Sequence, residues 1–165
     1  MYIVPGVPLI PQTLDGACWF ASAQMLIQWR RGKMGMTESG LRDPAENIET
    51  IIKFAANHGI SDRFILRLVA DLGLVAVPPV CASVDAIGQW LHNYGPLWIN
   101  GSTHITVIAG IDYENELLFI HDPWPVNVGK REWRSMAWLD GIGDAKDVDS
   151  LDPKTNSGVF LHCPE

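Results

Sequence analysis

Two apolar runs flank a short polar stretch, and no other feature limits the fold of this chain so tightly. His104-Ile105-Thr106-Val107-Ile108-Ala109-Gly110-Ile111 is β-branched and opened by a histidine. Leu117-Leu118-Phe119-Ile120-His121-Asp122-Pro123-Trp124 returns after Asp112 to Glu116. Runs of this kind read as paired strands, and the polar residues between them read as the hairpin turn. A three-residue loop, Tyr113-Glu114-Asn115, suits the pattern, because asparagine tolerates the left-handed conformation at its last position. Asp112 then stands opposite Glu116, and His104 opposite Trp124. Side chains alternate between faces, so His104, Asp122 and Trp124 share one face and His121 takes the other. Asp122 can then orient the His104 imidazole.

The partner for that imidazole lies far upstream. From Cys18 the chain runs Trp19-Phe20-Ala21-Ser22-Ala23-Gln24-Met25-Leu26-Ile27-Gln28-Trp29-Arg30, an apolar stretch with no helix breaker. Gly16 lets the chain turn tightly into it. A cysteine at a helix start is favoured as thiolate by unpaired N–H groups and aligned peptide dipoles. Gln12 stands six residues earlier, and its amide can share an anion pocket with the Cys18 backbone N–H, the layout of an oxyanion hole. Taken singly, each residue has an ordinary reading: a buried thiol, a core histidine, a turn aspartate, a loop glutamine. Together they supply nucleophile, base, orienting acid and oxyanion donor. His121 is a weaker base candidate because of its strand parity, and Asp112 a weaker third residue.

At this point the residues resemble the papain-like cysteine peptidases. Gln12, Cys18-Trp19, His104 with Gly110, and Asp122 with Trp124 reproduce the family's order and spacing over most of the chain. Within the family the chain is most similar to compact bacterial members with aspartate as third residue, the avirulence-effector proteases and, more distantly, the peptidases that remove double-glycine leaders. The resemblance implies a Cys18-His104-Asp122 triad with Gln12 as oxyanion donor, and a peptide or protein as substrate. It also implies a Trp124 that shields the His–Asp hydrogen bond, and a secreted bacterial effector or toxin as the biological setting. The segment between Cys18 and His104 is shorter than in papain, so substrate preference does not carry over.

The order of elements agrees with an α+β domain. Asp43-Pro44-Ala45-Glu46 reads as a capped helix start, with Ile48, Ile51, Ile52 and Ala55 at helical spacing until His58-Gly59. Ser61 opens a second helix with Phe64, Leu68, Val69 and Leu72 on one face and Gly73 after it. Leu74 to Val77 is strand-like. Ser83 caps a helix carrying Val84, Ile87, Trp90 and Leu91, which Gly95-Pro96 ends. Strands are expected at Leu97–Asn100, in the two hairpin runs, at Lys130–Trp133 and at Val159–Cys163, with a short helical turn from Ser135 to Leu139. The expectation is an N-terminal helical half packed on a C-terminal antiparallel sheet, with the active cleft between them.

At 165 residues, 47% hydrophobic and 19% charged, the chain suits one domain spanning 1–165, complete or cut from a longer polypeptide. A net charge of −7 without a basic run argues against nucleic acid and anionic membranes, and no apolar span is long enough for membrane insertion. Met1 to Pro11 does not read as a signal peptide. The location is therefore cytoplasmic, or secreted by a signal-peptide-independent route. Three cysteines make no disulfide framework, and Cys81 and Cys163 read as buried thiols. No zinc motif occurs, and the aspartate-rich stretch Asp140 to Asp152 lacks calcium-loop spacing and reads as a solvated loop. No cofactor or metal is expected. An inhibitory or immunity protein is a conceivable partner. Two other readings keep the scaffold: an amidase or peptidoglycan endopeptidase toxin, and a non-catalytic binding module.

Overall fold

The computed structural model describes residues 1–34, 40–77, 82–101, 104–143 and 159–164. Cys81 and positions 144–152 of the aspartate-rich stretch lie outside these. Helix α1 (Cys18–Met34) is the centre of the molecule. Residues 17 to 23 and 25 to 27 are buried on every side, so α1 is a core helix and not an amphipathic surface one. It lies against a sheet whose strand order is β2 (Val75–Ala76), β7 (Phe160–His162), β3 (Leu97–Asn100), β4 (Ile105–Asp112), β5 (Leu117–Asp122) and β6 (Lys130–Ser135). Every pairing is antiparallel. Trp19, Met25, Leu26 and Ile27 of α1 meet Leu97, Trp98, Ile99, Val107 and Ile108 in one continuous core. Helices α2 (Ile48–Ala55), α3 (Asp62–Leu72) and α4 (Val84–Tyr94) precede most of the sheet, and α5 (Met136–Gly143) follows β6. The α+β expectation holds.

The hairpin differs from its expected register in an instructive way. Asp112 pairs with Leu117, not Glu116, so the loop has four residues, 113–116, and Glu116 itself takes a positive φ of 52°. After three pairs from the turn the pairing shifts. Gly110 pairs with Phe119, but Ile108 pairs with Ile120, leaving Ala109 as a bulge. The bulge absorbs the extra loop residue, and beyond it the register returns to the one expected from the sequence. That returned register places the His104 end of β4 beside Asp122. The freed carbonyl of Ala109 accepts a hydrogen bond from Val4 N–H at 2.8 Å, next to a short strand, β1 (Tyr2–Ile3), that the sequence reading does not contain. β1 pairs with Gly110 and Ile111. A Cβ on Gly110 would lie 2.8 Å from the Tyr2 carbonyl oxygen, so glycine is required for this close approach.

Two helical expectations also need correction. Asp43 does form a capping box with Glu46, but it starts a single 3-10 turn, Pro44–Glu46. Helix α2 begins afresh at Ile48, capped by the Asn47 side chain. Its apolar stripe does not face the core. Ile48, Ile51 and Ile52 are exposed, while Thr50 and Phe54 face inward. Thr50 Oγ1 donates to the carbonyls of Pro44 and Asn47, and Phe54 packs on Phe20 with ring centroids 4.5 Å apart. These tertiary ties override periodicity. Finally, α5 runs on to Gly143, so the beginning of the aspartate-rich stretch is helical.

Helix α4 stops where its sequence says it should. Gly95 has φ +86°, and a Cβ there would come within 2.0 Å of the buried Trp29 ring. Gly95→Ala combines a left-handed backbone with overpacking against a side chain that has nowhere to go. The expected cost is about 2–3 kcal/mol, read as a lower urea midpoint with unchanged m-value.

Candidate active site

The site is assembled where the start of α1 meets the His104 end of the hairpin. Two bonds sew these elements together. Ser22 Oγ donates to the Ile105 carbonyl at 3.3 Å, and Trp98 Nε1 donates to the Trp19 carbonyl at 3.3 Å. Both sit in the core, where such bonds hold well because water cannot compete. They fix the first turns of α1 against β3 and β4. Cys18 is the first residue of α1 and is 7% exposed. No acidic residue occupies that first turn, so nothing there offsets the positive end of the helix dipole.

The loop leading into Cys18 is braced from both sides. Gly16 N–H donates to Asn57 Oδ1 at 2.9 Å, just past α2. A Cβ at Gly16 would lie 2.6 Å from the Asn57 carbonyl oxygen. Glycine is needed there for close packing and not for an unusual φ. Gln12 is 1% exposed, and its Nε2 donates to the carbonyls of Leu14 and Asp15, both at 2.8 Å. Its backbone is fixed as well: Gln12 N–H donates to Pro123 O at 3.0 Å, and Asn127 N–H donates to Gln12 O at 2.8 Å. Gln12 thus links the loop before Cys18 to the segment after Asp122. Both amide protons are engaged within its own loop, and Oε1 is buried without a partner among the described residues.

His104 stands immediately before β4, and Gly101 N–H donates to its carbonyl at 2.7 Å. Its Nε2 meets Asp122 Oδ1 at 2.6 Å. The same Oδ1 accepts the backbone N–H of Trp124 at 2.8 Å, and Lys130 Nζ lies 3.7 Å from Oδ2. An Nε2–H donating to Asp122 leaves Nδ1 as the nitrogen turned to Cys18. Burial is the largest single influence on the imidazole and pushes its pKa down. The hydrogen bond to Asp122, then hydrogen bonding and charge from Cys18 and Asp122, outweigh it and raise the pKa to about 9. Burial likewise pushes the Asp122 carboxyl upward. The bonds from His104 and Trp124, with the charges of His104 and Lys130, bring it below the ordinary value. The arrangement favours an imidazolium held between a carboxylate and a sulfur.

Cys18, His104 and Asp122 are therefore brought together, with Gln12 on the adjoining loop. The weaker candidates are elsewhere. Asp112 accepts from Glu114 N–H and Asn115 Nδ2 at the far end of the hairpin, and the Asn115 bond is what lowers its pKa most. His121 faces the opposite side of the sheet, toward Pro8 and Arg131. Trp124 is 45% exposed and meets Asp122 through its backbone, so it is not a core residue. Sequence reasoning misses Lys130, which stands directly across from Asp122 in the β5–β6 pairing. The connection between those strands contains left-handed Asn127 and Gly129, whose course the sequence does not specify. Cys163 is a free, buried thiol. Among the described residues no group of His, Cys, Asp and Glu could hold a metal, and no helix is long and apolar enough to cross a membrane.

Residues 4–140 match the family model described as papain-like cysteine protease AvrRpt2, a stretch that contains Gln12, Cys18, His104 and Asp122. A comparison with curated proteins gave no match. With most of its length covered by that model, and helices packed on an antiparallel sheet as the family requires, the chain belongs to the papain-like cysteine protease AvrRpt2 family and is a cysteine peptidase.

Proposed function

We propose that this peptidase hydrolyses peptide bonds through a Cys18-His104-Asp122 triad. The observation that supports it most is the 2.6 Å bond from His104 Nε2 to Asp122, on a ring whose pKa is also raised by Cys18. The Cys18 thiolate attacks the scissile carbonyl. His104 gives its proton to the leaving amine, and the resulting thioester is the acyl-enzyme. His104 then takes a proton from water, which attacks the thioester and restores the thiolate. Asp122 keeps the imidazole in orientation and stabilises its charged form. The oxyanion is met by the Cys18 backbone N–H and by the Gln12 amide. Gln12 serves by sharing a proton now bonded to Leu14 or Asp15. Losing one such donor costs about 3 kcal/mol of transition-state stabilisation. The resemblance to avirulence-effector proteases supports a secreted effector as the setting, with a protein of another cell as substrate.

A peptide epoxide that alkylates activated thiols tests the chemistry. Wild type is expected to label stoichiometrically at Cys18, and His104→Ala about 100-fold more slowly, because an unassisted thiol is mostly protonated at neutral pH. Equal rates would overturn the triad. Release of muropeptides from purified sacculi, with no cleavage of peptide substrates, would move the substrate to peptidoglycan.

A further inference from the structure

His121 is a buried, doubly bonded histidine that the proposed chemistry does not use. It precedes Asp122 by one residue along β5 and so projects from the other face. Its Nδ1 lies 3.1 Å from the Pro8 carbonyl oxygen, and its Nε2 lies 3.2 Å from Arg131 Nε. A carbonyl only accepts and a guanidinium only donates. The ring must therefore be neutral, with its proton on Nδ1. We propose that His121 is a positioning residue that, through its Nδ1–H bond to the Pro8 carbonyl, pins the N-terminal arm to the sheet and so holds Gln12 in the active site.

The arm makes this connection short. Pro8 is bonded to His121, Leu9 packs within reach of Gly129, and Gln12 is bonded to Pro123 and Asn127. Consecutive residues of β5 then serve both sides of the site: Asp122 orients the base, and His121 secures the loop that precedes the nucleophile. The elements around His121 leave little to stabilise a charge. Arm residues Pro8 to Pro11 carry no ionisable group. Val107 stands opposite in β4, and the Phe119 ring packs edge-on at 5.4 Å. Arg131, directly across in β6, is cationic. Burial, then, after the opposing Pro8 bond, the Arg131 charge, keep the ring easier to deprotonate than an ordinary histidine. Protonation would turn Nε2 into a donor facing another donor, beside a like charge. Protonation would therefore cost the Arg131 bond but leave Nδ1–H on the Pro8 carbonyl, so the arm anchor itself does not depend on the charge of the ring.

The inference rests on the peptidase reading, and its test separates the two. His121→Asn places an amide N–H near the Nδ1 position and cannot titrate, whereas His121→Leu removes the bond to Pro8. For kcat/KM on a peptide substrate between pH 4.5 and 8, His121→Asn is expected to stay within about threefold of wild type throughout. His121→Leu should fall about tenfold at all pH values, mainly in kcat. Activity of His121→Leu within about twofold of wild type, or an equal loss in His121→Asn, would overturn the proposal while leaving the triad standing. Hydrogen-exchange protection of the Gln12 and Asn127 amides tests the same anchoring without turnover. It should drop in His121→Leu and be kept in His121→Asn; equal protection in wild type and His121→Leu would sink the proposal even if no substrate were cleaved.

Discussion

Cys18→Ala is expected to lower peptide hydrolysis by about 10⁶-fold while leaving the fold within about 1 kcal/mol of wild type. The change removes one sulfur from the start of α1 with its bond to His104, while the Ser22 and Trp98 bonds that join the helix to the sheet remain. No other thiol among the described residues can substitute. Cys163 is buried, its S–H donates to the Leu26 carbonyl, and burial, only partly countered by Arg30, pushes its pKa up to about 12. His104→Ala should cost about 10⁴-fold, and the double variant should be no worse than Cys18→Ala, because residues that act as one unit are not additive. Initial rates on a fluorogenic peptide, with circular dichroism to confirm folding, decide the matter. Activity within tenfold of wild type in Cys18→Ala would place the nucleophile elsewhere.

Asp122→Asn has the second largest expected effect, about 10²-fold in kcat/KM near pH 8, together with a displaced pH profile. Asparagine can still accept the Trp124 N–H, so the local turn survives. What disappears is the negative charge that, through its bond to His104, opposes the burial of the imidazole. With a folded pKa of about 9 against an unfolded value near 6.5, the charged ring stabilises wild type fully below pH 6.5, and that contribution is lost as pH rises through about 9. Activity that depends on the imidazolium should show an alkaline limb near 9. In Asp122→Asn this limb should move down toward neutrality, and the fall in thermal stability between pH 6.5 and 9 should shrink. A limb that stays near 9 would mean that Asp122 does not govern the charge on His104.

The parts of this site that are legible in the sequence are those that depend on strand parity and fixed local spacing. Parity separates His104 and Asp122 from His121, and helix-start logic places Cys18. The loop expected from the sequence is one residue too short, yet the active end comes out in register. The sequence contains no mark of the Ala109 bulge that reconciles the two, because its companion is the arm strand β1, more than a hundred residues away. Gly110 stands out by its spacing, but its reason, the passage of Tyr2, is purely tertiary. Lys130 is hidden by a connection whose left-handed residues no local rule anticipates. The outward face of α2 escapes the sequence because an apolar stripe indicates a helix without saying which neighbours it will meet. Gln12 lies where spacing puts it, with its amide committed to carbonyls that spacing does not reveal.

The unpaired alanine in the long strand also separates two kinds of change along one hairpin. Lengthening or shortening the tip alters only the part of the ladder outside Ala109, which is held in place by Val4 and the arm. The inner part, sewn to the central helix, keeps its own alignment. Descendants of this sequence can therefore remodel the exposed end of the hairpin while the imidazole keeps its place beside the central helix.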